Sequence, residues 1–97
     1  MLTHDELKTR MLKNPTVRKE YERLEKEEFA LLDLLLAARH EAGLTQAEVA
    51  KRMGTQAPSV ARLERSLASG RHSPSVTTIR RYLAACGKQL VVDTRSL

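Results

Sequence analysis

The sequence predicts an all-α fold: a small helical bundle with a projecting N-terminal helical arm and one short C-terminal strand. Three observations predict it. The stretch from Leu44 to Arg65, LTQAEVAKRMGTQAPSVARLER, reads as two short helices joined by a tight turn. Pro15 to Ala42 runs without a single helix breaker. Gly43, Gly54 and Gly87 each stand just past an apolar-periodic segment, where helices stop.

Taken in order, Thr3 and Glu6 form a capping box for a short helix carrying Leu7, Met11 and Leu12 on one side. Asn14-Pro15 breaks that helix and starts another, asparagine being a good cap and proline suiting the first helical position. The new helix reaches Gly43, about 28 residues and about 42 Å at roughly 1.5 Å per residue. Its halves differ. Val17, Tyr21, Leu24 and either Glu28 or Phe29 make a thin apolar stripe among Arg, Lys and Glu. Leu31, Leu32, Leu34, Leu35, Leu36 and Ala38 are apolar nearly all round, as in a helix packed into a core. The first half therefore projects with a stripe it cannot bury alone. It is a solvated charged helix, a self-associating coiled coil or a docking arm for another protein. The stripe falls short of the three or four heptads a coiled coil wants, which favours the docking arm.

Thr45 and Glu48 form a second capping box, so a helix begins at Gln46, with Val49, Ala50 and Met53 as its apolar face. Gly54 ends it and Thr55 caps the next helix at once, leaving a turn of about three to four residues. Val60 and Leu63 return this second helix to the same core, and small Ala50 allows a close crossing. Pro58 falls in the first turn, where its missing N–H has no partner to lose. A turn this short, holding glycine between apolar anchors, is the helix-turn-helix of DNA readers. An ordinary αα-hairpin has the same spacing, but Thr55, Gln56, Ser59, Arg62 and Arg65 are side chains suited to base edges and phosphates.

Ser66 to Ser75, small and polar, reads as a loop whose Arg71 and His72 can touch phosphate or simply stay solvated. Val76 to Cys86 is a further helix, with Val76, Ile79, Leu83 and Cys86 inward and Arg80 and Arg81 outward. Lys88 to Thr94, KQLVVDT, is a β-prone run. As a single strand it needs a partner strand or is a frayed tail.

Charge divides the chain. Met1 to Glu28 hold seven Lys/Arg against seven Asp/Glu, whereas Phe29 to Leu97 hold ten against five. The whole net charge of +5 thus lies in the part containing the helix-turn-helix, as phosphate contact requires. The organisation is an arm over residues 1–28 for protein contact and a DNA-binding domain over residues 29–97. One cysteine, Cys86, excludes an internal disulfide and fits a reducing cytoplasm. No signal peptide and no span of membrane length is visible, so the expected location is the cytoplasm. Three aromatic residues offer no stacking platform for single strands. His4, His40 and His72 are isolated, and no nucleophile or phosphate-binding glycine motif is present; neither an enzyme nor a metal or cofactor is expected.

Three blocks carry a resemblance: NPTVRKEYERLEKEEFALLDLLLAARHEAGLTQAEVAKRMG, SVARLE and SPSVTTIRRYLAACGKQL. The later part is similar to DNA-binding domains of the XRE (Cro and lambda-repressor) type, and NP-x-VR-x-EY-x-x-L in front resembles the arm of HigA-like antitoxins. The resemblance implies an XRE-type bundle with two tasks. The arm would neutralise a RelE/HigB-like mRNA-cleaving toxin, through Leu7, Met11, Val17, Tyr21, Leu24 and Phe29. A homodimer would repress its own operon by binding double-stranded operator DNA. Mapped onto this chain, Gln46 would meet phosphate at the start of its helix, and Gln56, Ala57, Ser59 and Arg62 would face the groove, with Thr45, Thr55 and Arg65 completing the DNA-binding set. Ala57 departs from the glutamine usual in that family, and Ser66 to Ala68 read as a small insertion. The competing reading is a solitary phage-type repressor whose arm serves dimerisation.

Overall fold

The computed structural model describes residues 3–70 and 73–97, and it is helical throughout its ordered elements: α1 (His4–Leu12), α2 (Pro15–Glu41), α3 (Gln46–Met53), α4 (Ala57–Ser69) and α5 (Val76–Ala85). Local chemistry sets most of the boundaries. Asn14 Oδ1 accepts from the backbone N–H of Thr16 at 3.0 Å, and Pro15 opens α2. The end of α2 closes with the Leu44 N–H donating to the Arg39 carbonyl at 3.1 Å, while Leu44 itself drops into the core. This is the hydrophobic contact that accompanies a left-handed helix stop. Ser75 Oγ caps α5 by accepting from the Thr78 N–H at 3.1 Å.

The core lies where the C-terminal half of α2 meets α3, α4 and α5. Tyr82, Leu35, Leu67, Leu83, Val49 and Val60 are its largest fully buried side chains, with Leu44, Leu63 and Ile79 nearly so, and Ala50 and Ala85 allow the close approaches. Packing pairs α3 with α4 and α5, and α2 with α4 and α5; α1 folds back on α2. The body measures 43 × 34 × 19 Å, and the long axis reflects the projecting half of α2. Among the described residues no helix is long and apolar enough to cross a membrane.

Four expectations need correcting. First, α4 continues through Ser66 to Ser69, where a loop was expected. Leu67, one turn beyond Leu63 and two beyond Val60, is fully buried, and its burial draws Ser66, Ala68 and Ser69 into the helix with it. Second, Val76 is 53% exposed, since α5 turns Ile79, Tyr82, Leu83 and Cys86 inward instead. Third, α2 is not apolar all round: Leu34 stays 52% exposed on a side that no other element covers fully. Fourth, residues 88–97 form no strand, and no strand occurs among the described residues. A β-prone run has no ladder to join where no second strand exists.

Candidate nucleic-acid interface

The candidate interface is built on α3, its turn and α4. Thr45 Oγ1 accepts from the Glu48 N–H, and Glu48 Oε1 accepts from the Thr45 N–H, both at 3.1 Å. The backbone hydrogen bond from Thr45 holds the exposed Glu48 carboxyl below its ordinary range. Gly54 adopts φ 75°, in the left-handed region, and the Thr55 N–H then reaches back to the Ala50 carbonyl at 2.9 Å. The chain reverses at that point.

The cap of α4 is not Thr55. Gln56 holds the cap position, without a side-chain hydrogen bond to the helix, and Pro58 falls in the first turn. Gln56 is thereby left exposed, with its amide free of the helix start. On α4, Val60, Leu63, Glu64 and Leu67 face inward. Ser59, Arg62 and Arg65 are exposed on the other side, Ala57 and Thr55 are half-buried beside the turn, and Thr45 is exposed at the start of α3. The structure therefore gathers Gln56, Ser59, Arg62 and Arg65 on one accessible surface, in the part of the chain that carries the net positive charge. Arg71 and His72 lie outside the described residues.

Gln46, expected to meet phosphate, turns part of its amide inward. Its Nε2 donates to Glu64 Oε1 at 2.9 Å, so one amide hydrogen is committed inward. Glu64 is the residue that reading by periodicity missed. Among the described residues it is the one buried charged side chain, at 7% exposure. Its carboxylate takes Arg39 Nε at 3.1 Å, Arg39 Nη2 at 3.3 Å, the Tyr82 hydroxyl at 2.8 Å and Gln46. Arg39 Nη1 donates further to the Leu44 carbonyl at 3.2 Å. Burial pulls the Arg39 guanidinium down, but Glu64 and Tyr82 together outweigh it and hold the group above its ordinary value. Burial, then the Glu64 carboxylate, pushes the Tyr82 phenol up. One carboxylate thus ties α2, the start of α3 and α5 to the helix that presents Arg62 and Arg65. No local signal announces it, because Arg39 and Glu64 are 25 residues apart.

The arm residues are less concentrated. Leu7, Leu24 and Phe29 are each about half exposed, while Val17 and Tyr21 are half-buried under α1. Lys8 Nζ sits 4.8 Å from the centre of the Tyr21 ring, covering one face of it. The Met11 side chain lies outside the described parts. Leu24 continues the row of Val17 and Tyr21, but Phe29, five residues on, points about 140° away. The row passes through Glu28 instead, whose Oε1 accepts from Ser73 Oγ at 2.6 Å. Phe29 therefore belongs to a different face of α2 from the rest of the set.

Comparison with known proteins places this geometry. The helix-turn-helix domain family matches residues 30–94. The chain is 38% identical over 60 residues to antitoxin HigA1 of Mycobacterium tuberculosis strain CDC 1551/Oshkosh, and equally to that of strain H37Rv. Those 60 residues are 62% of this chain and 38% of the curated relatives, so it spans well under half their length. No solved structure matches significantly.

Proposed function

The chain belongs to the helix-turn-helix domain family, and we propose that it is the DNA-binding antitoxin of a toxin–antitoxin pair. In this reading a homodimer binds operator DNA through α4 and represses its own operon. Residues 1–28 form the arm that neutralises a RelE/HigB-like toxin, and residues 29–97 form the DNA-binding domain. The protein acts by binding, without catalysis.

The surface of α4 carries the DNA reading. Ser59, Arg62 and Arg65 stand exposed opposite Val60, Leu63 and Leu67, which leaves them free to enter a groove while the core stays shut. Arg62 and Gln56 are the base-reading pair, since Arg suits guanine and Gln suits adenine edges. Arg65 and the exposed start of α3 at Thr45 serve the backbone, with Thr55 and Ala57 lining the turn and the remaining amide hydrogen of Gln46 directed to phosphate. The likeness to antitoxin HigA1 supports the partner half of the reading, and the arm offers Leu7, Val17, Tyr21 and Leu24 for it, with Met11 on α1 and Phe29 at its margin.

Fluorescence anisotropy on DNA from upstream of the chain's own reading frame tests the first half. Arg62→Ala or Gln56→Ala is expected to weaken binding by about 1–3 kcal/mol and to relax specificity at one base. Wild-type binding that ignores both sequence and salt would overturn the DNA reading. Tyr21→Asp with Leu24→Asp tests the second half. Toxin released from copurification while operator affinity holds supports the arm; unchanged toxin affinity rejects it.

A further inference from the structure

The row Val17, Tyr21 and Leu24 of α2, assigned above to a partner protein, already has an occupant in the free chain. α1 folds back on α2, and Lys8 sets its ammonium 4.8 Å from the centre of the Tyr21 ring. Among the described side chains of α1 only Lys8 is partly buried, so this contact is where the helix docks. Glu25, one turn beyond Tyr21, is half-buried on the same row. The Tyr21 hydroxyl, with Glu25 and Asp5 adding at longer range, holds the Lys8 ammonium above its ordinary value against the opposing effect of burial.

Each of the two helices is capped without the other. The Glu6 N–H donates to Thr3 Oγ1 at 3.1 Å and the Thr3 N–H to Glu6 Oε2 at 3.3 Å, which closes α1 on itself. Asn14 caps α2 from the connection between them. α1 can therefore leave by turning about Lys13 and Asn14 while α2 stays whole. Its nine residues are fewer than the roughly 12–15 that hold as a helix alone in water, so α1 depends on what it docks against.

We propose that α1 is a removable cover, and that the partner replaces it with a basic amphipathic helix of its own, setting a Lys or Arg over Tyr21 and beside Glu25. The inference rests on the arm reading of residues 1–28. α1 shows what the seat accepts, a short helix that brings a cation to a ring face. An acidic helix is rejected, because Glu25 would repel it where Lys8 now sits. Leu24, 51% exposed, continues the row uncovered and gives the incoming helix an apolar foothold before α1 moves. While α1 is docked the partner's apparent affinity is reduced by the fraction of chains whose seat is open.

The test uses the full chain, hydrogen exchange read by mass spectrometry, and titration with the purified toxin of the adjoining reading frame. In the wild type, toxin is expected to speed exchange in α1 and slow it around Tyr21. Lys8→Glu, which removes the cation and faces Glu25 with a like charge, is expected to speed exchange in α1 without toxin. It is also expected to tighten toxin binding about two- to fivefold, the worth of one exposed cation–π contact. Lys8→Arg keeps the cation and should match the wild type. Adding Glu25→Gln to Lys8→Glu is expected to give back about half of the gain, as a basic incoming helix requires. Toxin binding that Lys8→Glu weakens or leaves unchanged overturns the proposal and spares the arm reading. So does an α1 that stays protected when toxin binds, or a Glu25→Gln change that tightens binding. A wild type that binds no toxin overturns the arm reading and this proposal with it.

Discussion

Glu64→Ala is the most informative single perturbation of the fold. It removes the acceptor of four hydrogen bonds and strands an Arg39 guanidinium whose side chain is only 14% exposed. Breaking a buried ion pair from one side costs about 3–5 kcal/mol, because the other charge stays desolvated and uncompensated. A domain of this size has about 5–15 kcal/mol in total, so the variant is expected to lose roughly a fifth of its stability or more. The cause can be separated from the loss of packing. Arg39→Met with Glu64→Leu removes both charges and is expected to recover most of the loss, leaving about 1–3 kcal/mol for the buried Tyr82 hydroxyl without an acceptor. Adding Tyr82→Phe removes that hydroxyl and should bring the triple variant close to the wild type. Urea unfolding followed by far-ultraviolet circular dichroism measures all four chains, each needing the same slope to be comparable. If the double variant is as unstable as Glu64→Ala, the unpaired charge is not what matters and the reasoning fails. A Glu64→Ala cost below about 1 kcal/mol would refute it equally, since that is the range of a solvent-exposed pair.

Two further outcomes follow from the same core. Leu67→Ala is expected to cost about 2–5 kcal/mol in the same urea assay, the cost of a cavity at a fully buried leucine; a value under about 0.5 kcal/mol would mean the end of α4 is not packed at all. The Tyr82 phenol is held above its ordinary value in the folded chain, so its contribution is complete below about pH 10 and falls as pH rises beyond that. The stability advantage of the wild type over Tyr82→Phe should therefore shrink between roughly pH 10 and 12, and a constant difference there would contradict the buried hydrogen bond to Glu64.

What could be read in the sequence was whatever is decided within one helical turn. Asn14-Pro15, the Thr45–Glu48 capping box and Gly54 all act on backbone groups fewer than five residues away, and each boundary falls where those groups put it. The surface of Gln56, Ser59, Arg62 and Arg65 was legible for the same reason, since Val60 and Leu63 fix which way α4 faces. What escaped was decided across the fold. Ser66-Leu67-Ala68-Ser69 has the composition of a loop, and only the pocket waiting for Leu67 makes it helical. Glu64 looks like one more solvated charge until Arg39, Gln46 and Tyr82 converge on it. Leu34 shows the opposite error, for an apolar residue in a leucine-rich run was given a core that the fold does not place there. The KQLVVDT run had strand propensity, but a ladder needs a second strand, and propensity cannot supply it.

Between Thr16 and Glu41, α2 holds neither glycine nor proline, so one rod runs from Tyr21 in the arm to Arg39 beneath α4. Those two residues are 18 apart, about 27 Å along the axis. Anything held near Tyr21 is therefore indexed to α4, with its distance and bearing set by counting residues. One residue inserted near Phe29 would swing the cargo by about 100° around the rod, and seven would return it to nearly the same bearing about 10 Å farther out. The spacing between arm and domain is in this sense a gear with discrete teeth.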